Sequence, residues 1–471
     1  MRSNNVEPTP SGGYRMQQGI RQVALLLVLV LVATCSNAPE YESVAVDESD
    51  SSFVTDEGRQ EEEGPVPTPA TEKAEPGETP IQEDTRIVAL ADRIFSELSK
   101  ARGFKVNRPI AKAFVKRKEI EIRALRLNDA VNPPGKLDSE RKLMFKLGLI
   151  PQDYDLAEFL RKAALLTTIS VYDPQTKVLY IADSLAEEKE EAILSSLVPN
   201  LAYAFQDQHF GVSFKNAWVE GNQDATGARV AVITGDALAA VFYYRLGASN
   251  FSRVEARDIR RFFRFLLEEQ MADDTPPALM EMGLFSGIVG FSFMQFYLKW
   301  NGWENAARLY SDLPLSTEQI MHPERYTGLR DDPTEVQEQT PPDILSPSWK
   351  RIYSNTLGEF VLYLHLKEFI GKQQAKWGAQ GWDGDRAELF ENPDGKLTLV
   401  LRSVWDSEKE ANQFSQAYAK LIHQRYPGAQ LVPWSGSTPS GEKTLQWVSE
   451  NNRILLRLNG SLVEIIEGEG I

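Results

Sequence analysis

Residues Leu197–Phe210 read LVPNLAYAFQDQHF and close a longer stretch, Glu187–Phe210, that opens on acidic residues and then sets apolar side chains along one face. Acidic groups suit a helix N-terminus, where the macrodipole presents positive charge, so the stretch predicts one long helix. Pro199 falls in its middle. A proline there has no N–H to give the carbonyl of Ser195, at a cost of roughly 3 kcal/mol, and the helix is expected to kink or split at that turn.

Working outward, Ile87–Lys100 (IVALADRIFSELSK) has helical periodicity, and Phe114–Ile122 (FVKRKEIEI) alternates as a short strand would. Ile169–Tyr172 and Val178–Ile181 flank Asp173-Pro174-Gln175-Thr176-Lys177, whose Asp and Pro supply turn geometry for a hairpin. Downstream, Leu284–Trp300 (LFSGIVGFSFMQFYLKW) is apolar enough to look membrane-like, but its Gly, Ser, Gln and Lys favour a buried helix. Beyond residues 371–381 the pattern changes to Ala387–Glu391, Leu397–Val404, a helix over Glu408–Arg425, then Thr444–Ser449, Arg453–Leu458 and Leu462–Ile466. Asn451-Asn452 and Asn459-Gly460 mark turns between the last three, which predicts an antiparallel sheet carrying one helix. The fold class is therefore α+β: a mostly helical domain over residues 86–372 and a small α+β domain over 373–471.

The helix Leu197–Phe210 resembles that of a family of bacterial envelope proteins, many of them lipoproteins, whose equivalent segment reads H-E-L-T-H-A-L-Q-D-Q-H-F, a zincin signature. Further landmarks are Leu147–Leu156 (LGLIPQDYDL), Tyr172-Asp173-Pro174, Ser316–Pro323 (STEQIMHP), Gly381–Arg386 (GWDGDR) and Val404–Ser407 (VWDS), in the family's order across about residues 90 to 415. In the H-E-x-x-H arrangement two imidazoles one turn apart bind zinc, and the carboxylate between them takes a proton from the metal-bound water. Aligned on Gln206–Phe210, the first His position is Pro199, the Glu position is Asn200 and the second His position is Tyr203. The resemblance places a third ligand in a V-E-G-D-A motif, which here reads Ile233-Thr234-Gly235-Asp236-Ala237, with Thr234 at the carboxylate position. Proline has no donor atom, asparagine cannot take and return a proton near neutral pH, and tyrosine is a poor substitute for imidazole. The resemblance thus implies a zincin-like domain that has lost its metal ligands and general base, with no catalytic residue and no cofactor.

Of the four histidines, His209, His365 and His423 are expected to be packing or surface residues. His322 is a candidate lining of the old cleft, or a structural loop residue ahead of Pro323. Asp207 and Asp236 suit positions that once oriented metal ligands; without ligands each reads as a hydrogen-bond acceptor.

The N-terminal part has a different character. Residues 1–35 carry Arg2, Arg15 and Arg21 against Glu7, and after Arg21 the run Val23–Ala33 (VALLLVLVLVA) has the length of a signal-peptide core. It ends Leu31-Val32-Ala33-Thr34-Cys35-Ser36, which resembles a lipobox, so Cys35 is the expected lipid acceptor; an uncleaved signal anchor is the other reading. Residues 36–85, rich in Glu, Pro, Ser and Thr, hold fifteen acidic residues against Arg59 and Lys73, with too few large apolar groups to offset ordering entropy. They are expected to form a disordered acidic tether.

The chain of 471 residues has a net charge of −16, and nearly all of that excess sits in the tether. The rest gives no electrostatic footprint for nucleic acid. The expected partners are membrane lipid through Cys35 and a peptide or another envelope protein, which places the protein in the cell envelope on the extracytoplasmic side. Three functions compete: a lipid-anchored binding or scaffolding protein on an inactive metallopeptidase-like domain, an active envelope metallopeptidase with non-standard zinc ligands, and a purely structural lipoprotein.

Overall fold

A computed structural model describes residues 83–469, apart from 107, 133, 166–168, 215, 248–252, 256–258, 260–273, 343 and 437–440. Cys35, the leader and nearly all of the tether lie outside the described residues. The chain turns helical at α1 (Thr85–Ala101), where the Asp84 carboxylate accepts from the N–H groups of Arg86 and Ile87 and so satisfies two donors that have no partner within the helix.

Three strands follow in part from this first segment. β1 (Ala111–Val115) pairs in parallel with β3 (Val178–Ala182), which pairs antiparallel with β2 (Ser170–Asp173) in the order β1-β3-β2. The expected hairpin is present, and Asp173 Oδ1 accepts from Gln175 N–H at 2.8 Å within its turn. The strand expected over Phe114–Ile122 is shorter. From Arg117 the chain is helical as α2 (Arg117–Val131), because Arg, Lys, Glu and Leu form helices readily and pair one turn apart, as Arg117–Glu121 at 3.5 Å and Glu119–Arg123 at 2.6 Å. α3 (Pro134–Lys146) and α4 (Leu156–Leu165) complete this side.

The centre is a pair of long helices, α5 (Glu190–Phe210) and α6 (Gln223–Leu246). Against α6 lies a third run: α7 (Pro277–Leu284), a π-helical turn over Phe285–Val289, and α8 (Gly290–Asn301). Gly235 of α6 and Gly290 of α8 let the two backbones touch. A Cβ on Gly235 would come within 2.2 Å of the Gly290 carbonyl carbon, and one on Gly290 within 2.1 Å of the Ala231 carbonyl oxygen. Both runs are long and apolar enough to cross a membrane, yet the apolar window of the first is 94% buried inside the protein and that of the second 67%. The short helices α9 (Ala306–Ser311), α10 (Thr317–Met321) and α11 (Glu324–Thr327) wrap the ends of this layer.

The second sheet is fully antiparallel, in the order β4-β5-β6-β10-β9-β8-β7: β4 (Lys350–Asn355), β5 (Trp382–Glu391), β6 (Leu397–Trp405), β7 (Gln430–Val432), β8 (Lys443–Val448), β9 (Asn452–Asn459) and β10 (Leu462–Glu469). α12 (Gly358–Ile370), α13 (Lys372–Ala379) and α14 (Glu408–Arg425) lie on it. The expected α14 is found with its stated bounds, its start capped by Ser407 Oγ and its last turn holding His423 and Arg425. The sheet begins before residue 373, and one hydrophobic core runs through it into the helical layer.

A buried charge network crosses that junction. Glu467 of β10 accepts from Arg425 at 3.0 Å, Tyr418 at 3.0 Å and Tyr426 at 2.7 Å, and lies 3.5 Å from the Lys146 ammonium of α3. Burial would raise its carboxyl, but Arg425 and Lys146 outweigh that and hold it at about 2. Arg425 also donates to the Lys146 carbonyl, and His365 Nδ1 donates to the Leu147 carbonyl, both at 2.7 Å.

Candidate functional site

The zincin-like positions lie on α5 and α6. Pro199 is buried within α5, and the helix is not split there. In the turn that the proline loosens, the Ser196 carbonyl accepts from Asn200 Nδ2 at 2.9 Å and from Ser170 Oγ at 3.2 Å. Asn200 reaches further. Its Nδ2 also lies 3.3 Å from the Ser170 carbonyl and 3.2 Å from Ser170 Oγ, and its Oδ1 accepts from the Tyr172 N–H at 2.9 Å. Asn200 is therefore a buried clasp between α5 and edge strand β2, with both ends of its amide engaged.

Tyr203, one turn on, packs edge-to-face on Phe214 with ring centroids 5.0 Å apart, beside Ala217, Val230 and Ile233. Thr234 stands beside its phenol. Burial pushes the phenol upward and the Thr234 hydroxyl opposes the shift, although Thr234 Oγ1 makes no well-formed hydrogen bond. Tyr203 and Thr234 thus face each other across α5 and α6, phenol to hydroxyl.

Asp207 and Asp236 have separate partners. Asp207 accepts from Tyr172 Oη at 2.6 Å and from the Lys177 ammonium at 2.7 and 2.8 Å, which ties α5 to the hairpin. Lys177 is a non-glycine residue at φ 58°. Asp236 is buried, pairs with buried Arg102 at 2.7 Å, and accepts from Gln206 Nε2 at 2.8 Å and Tyr310 Oη at 2.7 Å. The Arg102 guanidinium lies over Phe205, 4.5 Å from its ring centroid, and 5.2 Å from that of Trp303.

His322 joins neither group. Its Nε2 lies 3.1 Å from buried Glu359, in a polar junction where α6, α10 and α12 meet the second sheet. Glu359 raises His322 above the ordinary imidazole range. Three more carboxyls are buried here. Asp224 accepts from the Thr317 N–H at 3.0 Å and from the Thr317 hydroxyl, and burial pushes it up to about 7. Asp385 accepts from the N–H groups of Leu357 and Gly358 and from Trp382 Nε1, at 2.8–2.9 Å, and burial brings it to about 6. Glu318, pushed up to about 9 by burial and by Glu359, faces Arg325, whose guanidinium also pairs with Asp331 and with Asp406 at 2.7 Å. Gly358 has φ +81°, and a Cβ there would lie 1.7 Å from Asp224 Oδ1, so only glycine fits.

The three landmarks Ser316–Pro323, Gly381–Arg386 and Val404–Ser407 therefore converge in space. Their order along the chain carries no sign of this, and Asp224, Glu318, Arg325, Glu359 and Asp385 were not legible as a group. Glu318, Asp331 and Asp406 bring carboxylate oxygens within 4.8 Å of one another, but the Arg325 guanidinium supplies the positive charge among them.

The residues at the zincin-like positions do not fit zinc. Pro199 offers no atom, the Asn200 amide is engaged with the hairpin, and Tyr203 and Thr234 offer hydroxyls within an apolar contact. His209 is taken up by rings, 4.4 Å from Phe205 and 4.9 Å from Phe104 between centroids, and His365 is buried and lowered to about 4. A surface cavity of about 480 Å³ lies elsewhere, lined by residues of α2, α3 and α4 that include Asn128, Leu137, Arg141 and Arg161.

A family model described as a domain of unknown function (DUF8575) matches residues 348–470, about a quarter of the chain, which spans the second sheet and helices α12–α14. Comparison with curated proteins and with solved structures finds no match.

Proposed function

We propose that the protein is a membrane-tethered envelope lipoprotein with a scaffolding role, built on a metallopeptidase-like helical layer that no longer performs catalysis. The reading combines the lipobox-like segment at Cys35, the acidic tether and the zincin-like helix. Asn200 is the observation that carries the loss of catalysis. A general base must present a free carboxylate to a water on the metal, whereas this side chain is an amide with hydrogen bonds to Ser196, Ser170 and Tyr172. Because Asn200, Tyr203, Asp207, Asp236 and His322 are each taken up in a contact of its own, a scaffold is favoured over a protein that binds peptide in the former cleft.

The test is metal content by elemental mass spectrometry on the full chain purified without chelators. Zinc below about a tenth of an equivalent, beside a control metalloprotein that retains its own, is the expected result. Near-stoichiometric zinc that is lost in His322→Ala or His209→Ala would overturn the reading in favour of an active metallopeptidase. For the anchor, Cys35→Ser should release the protein from the membrane fraction, and retention would point to an uncleaved signal anchor.

A further inference from the structure

Glu140 of α3 is a buried carboxyl with one close polar partner among the described residues, the Lys136 ammonium one helical turn earlier, at 3.1 Å. It stands against a small internal cavity of about 20 Å³ whose wall is mainly apolar, with Met144, Leu149, Met282 and Leu357 among its side chains. The polar part of that wall is Gln223 of α6, whose amide oxygen accepts from the Tyr353 phenol of β4 at 2.9 Å. The other charged groups on these elements are directed elsewhere. Lys142 and Lys146 of α3 meet Glu391 and Glu467, Asp224 of α6 meets Thr317, Glu281 of α7 meets Lys367, Arg351 of β4 meets Glu388, and Glu359 of α12 meets His322. Lys136 is thus the one charge that acts on Glu140; burial outweighs it and brings the carboxyl up to about 7. The ammonium has a second neighbour. It lies 4.6 Å from the ring centroid of Trp218, in the turn that leads into α6. Ala217, beside that tryptophan, is buried with Val230 and Ile233 and packs in one cluster with Tyr203. Lys136 therefore joins α3 to the segment that covers Tyr203.

We propose that Glu140, Lys136 and Trp218 form a pH-sensitive latch, closed while Glu140 is charged and open once it is neutral, that holds the segment around Trp218 against α5 and α6. In the closed state the carboxylate fixes the ammonium between itself and the indole ring, so that ion pair and cation–π contact act together. A neutral carboxyl sits in its apolar surroundings without a charge to compensate. The ammonium keeps its own charge, and with its counter-charge gone it needs water. Its side chain is already 14% exposed, so the flexible stem can carry the charge outward and off the ring. The local and global responses to pH run in opposite directions. The folded chain binds the Glu140 proton more tightly than the unfolded chain does, so the net stability this group contributes is full below the unfolded value and is lost as pH rises through about 7. The latch closes over that same rise, which separates its signal from general loosening of the fold.

The test is amide hydrogen exchange of the full chain on either side of neutral pH, corrected for intrinsic exchange rates and read on the peptide that spans Ala217 and Trp218. Trp218 emission, taken as the difference between the natural chain and Trp218→Phe, is followed in parallel. Protection of that peptide should be about two- to fivefold greater on the alkaline side, the scale of a single cation–π contact, and the emission should titrate with a midpoint near 7. Glu140→Gln has the shape of the neutral acid and should show the open behaviour at every pH, as should Lys136→Met. A natural chain whose Trp218 emission and local exchange stay flat across neutrality overturns the latch without recourse to any variant. A titration that persists in Glu140→Gln belongs to another group and overturns it as well, and protection that is greater on the acid side shows that the segment follows the fold as a whole and has no latch of its own.

Discussion

Asn200 shows how much one buried amide can hold together. It ties a helix to a strand, so its removal should cost stability. Asn200→Leu strands the Tyr172 N–H, and the expected loss is about 2–3 kcal/mol in denaturant unfolding; a loss below about 0.5 kcal/mol would mean that the clasp contributes little. Arg102 and Asp236 make a sharper case, since a lone buried charge costs far more than a missing pair. Arg102→Met is expected to destabilise by about 3–5 kcal/mol, and adding Asp236→Leu should recover much of that, so a double-mutant cycle gives a large coupling energy.

At the scale of elements, the crossing of α6 and α8 is set by Gly235 and Gly290, whose missing side chains let two backbones touch. Gly290→Ala must force the helices apart and should cost at least about 1–3 kcal/mol, with altered near-ultraviolet dichroism from the surrounding aromatics. The sequence announces α1, the hairpin and α14 clearly, because caps, turn residues and period are local signals. It is less informative at residues 116–122, where alternation suggests a strand while helix-forming residues and their pairs decide otherwise. It also predicts a kink or split at Pro199, and the helix is not split there. The family resemblance singles out Pro199, Asn200, Tyr203 and Thr234, but the contacts these residues make in the folded chain are not legible from it. Asn200 meets Ser170 and Asp236 meets Arg102 across separations that only the folded chain closes.

For the whole molecule, the buried acids predict an unusual response to pH. Asp224 at about 7, Asp385 at about 6 and Glu318 at about 9 all lie above the values of the unfolded chain, so the native state holds protons that the unfolded state releases near pH 4. The stability they contribute is full below that point and is lost as pH rises through 6 to 9, and raised His322 acts in the same direction. Glu467, lowered to about 2, opposes them only below about pH 4.5, and buried His365, lowered to about 4, opposes them between about pH 4 and 6.5. Thermal unfolding should therefore be most resisted near pH 6, and Asp224→Asn should flatten the decline between about pH 6.5 and 9; a transition temperature that climbs over that range would contradict the assignment. The Lys146–Glu467–Arg425 network and the shared core also predict a single calorimetric transition for residues 83–469, in place of two. The first helix gives the molecule a further property. The helix that begins at Thr85 is pinned at its other end by Arg102 on Asp236. A pull on the N-terminus is thus directed along about 25 Å of packed helix, loading its contacts in shear all at once toward a buried ion pair. That arrangement resists force better than one whose contacts peel apart singly.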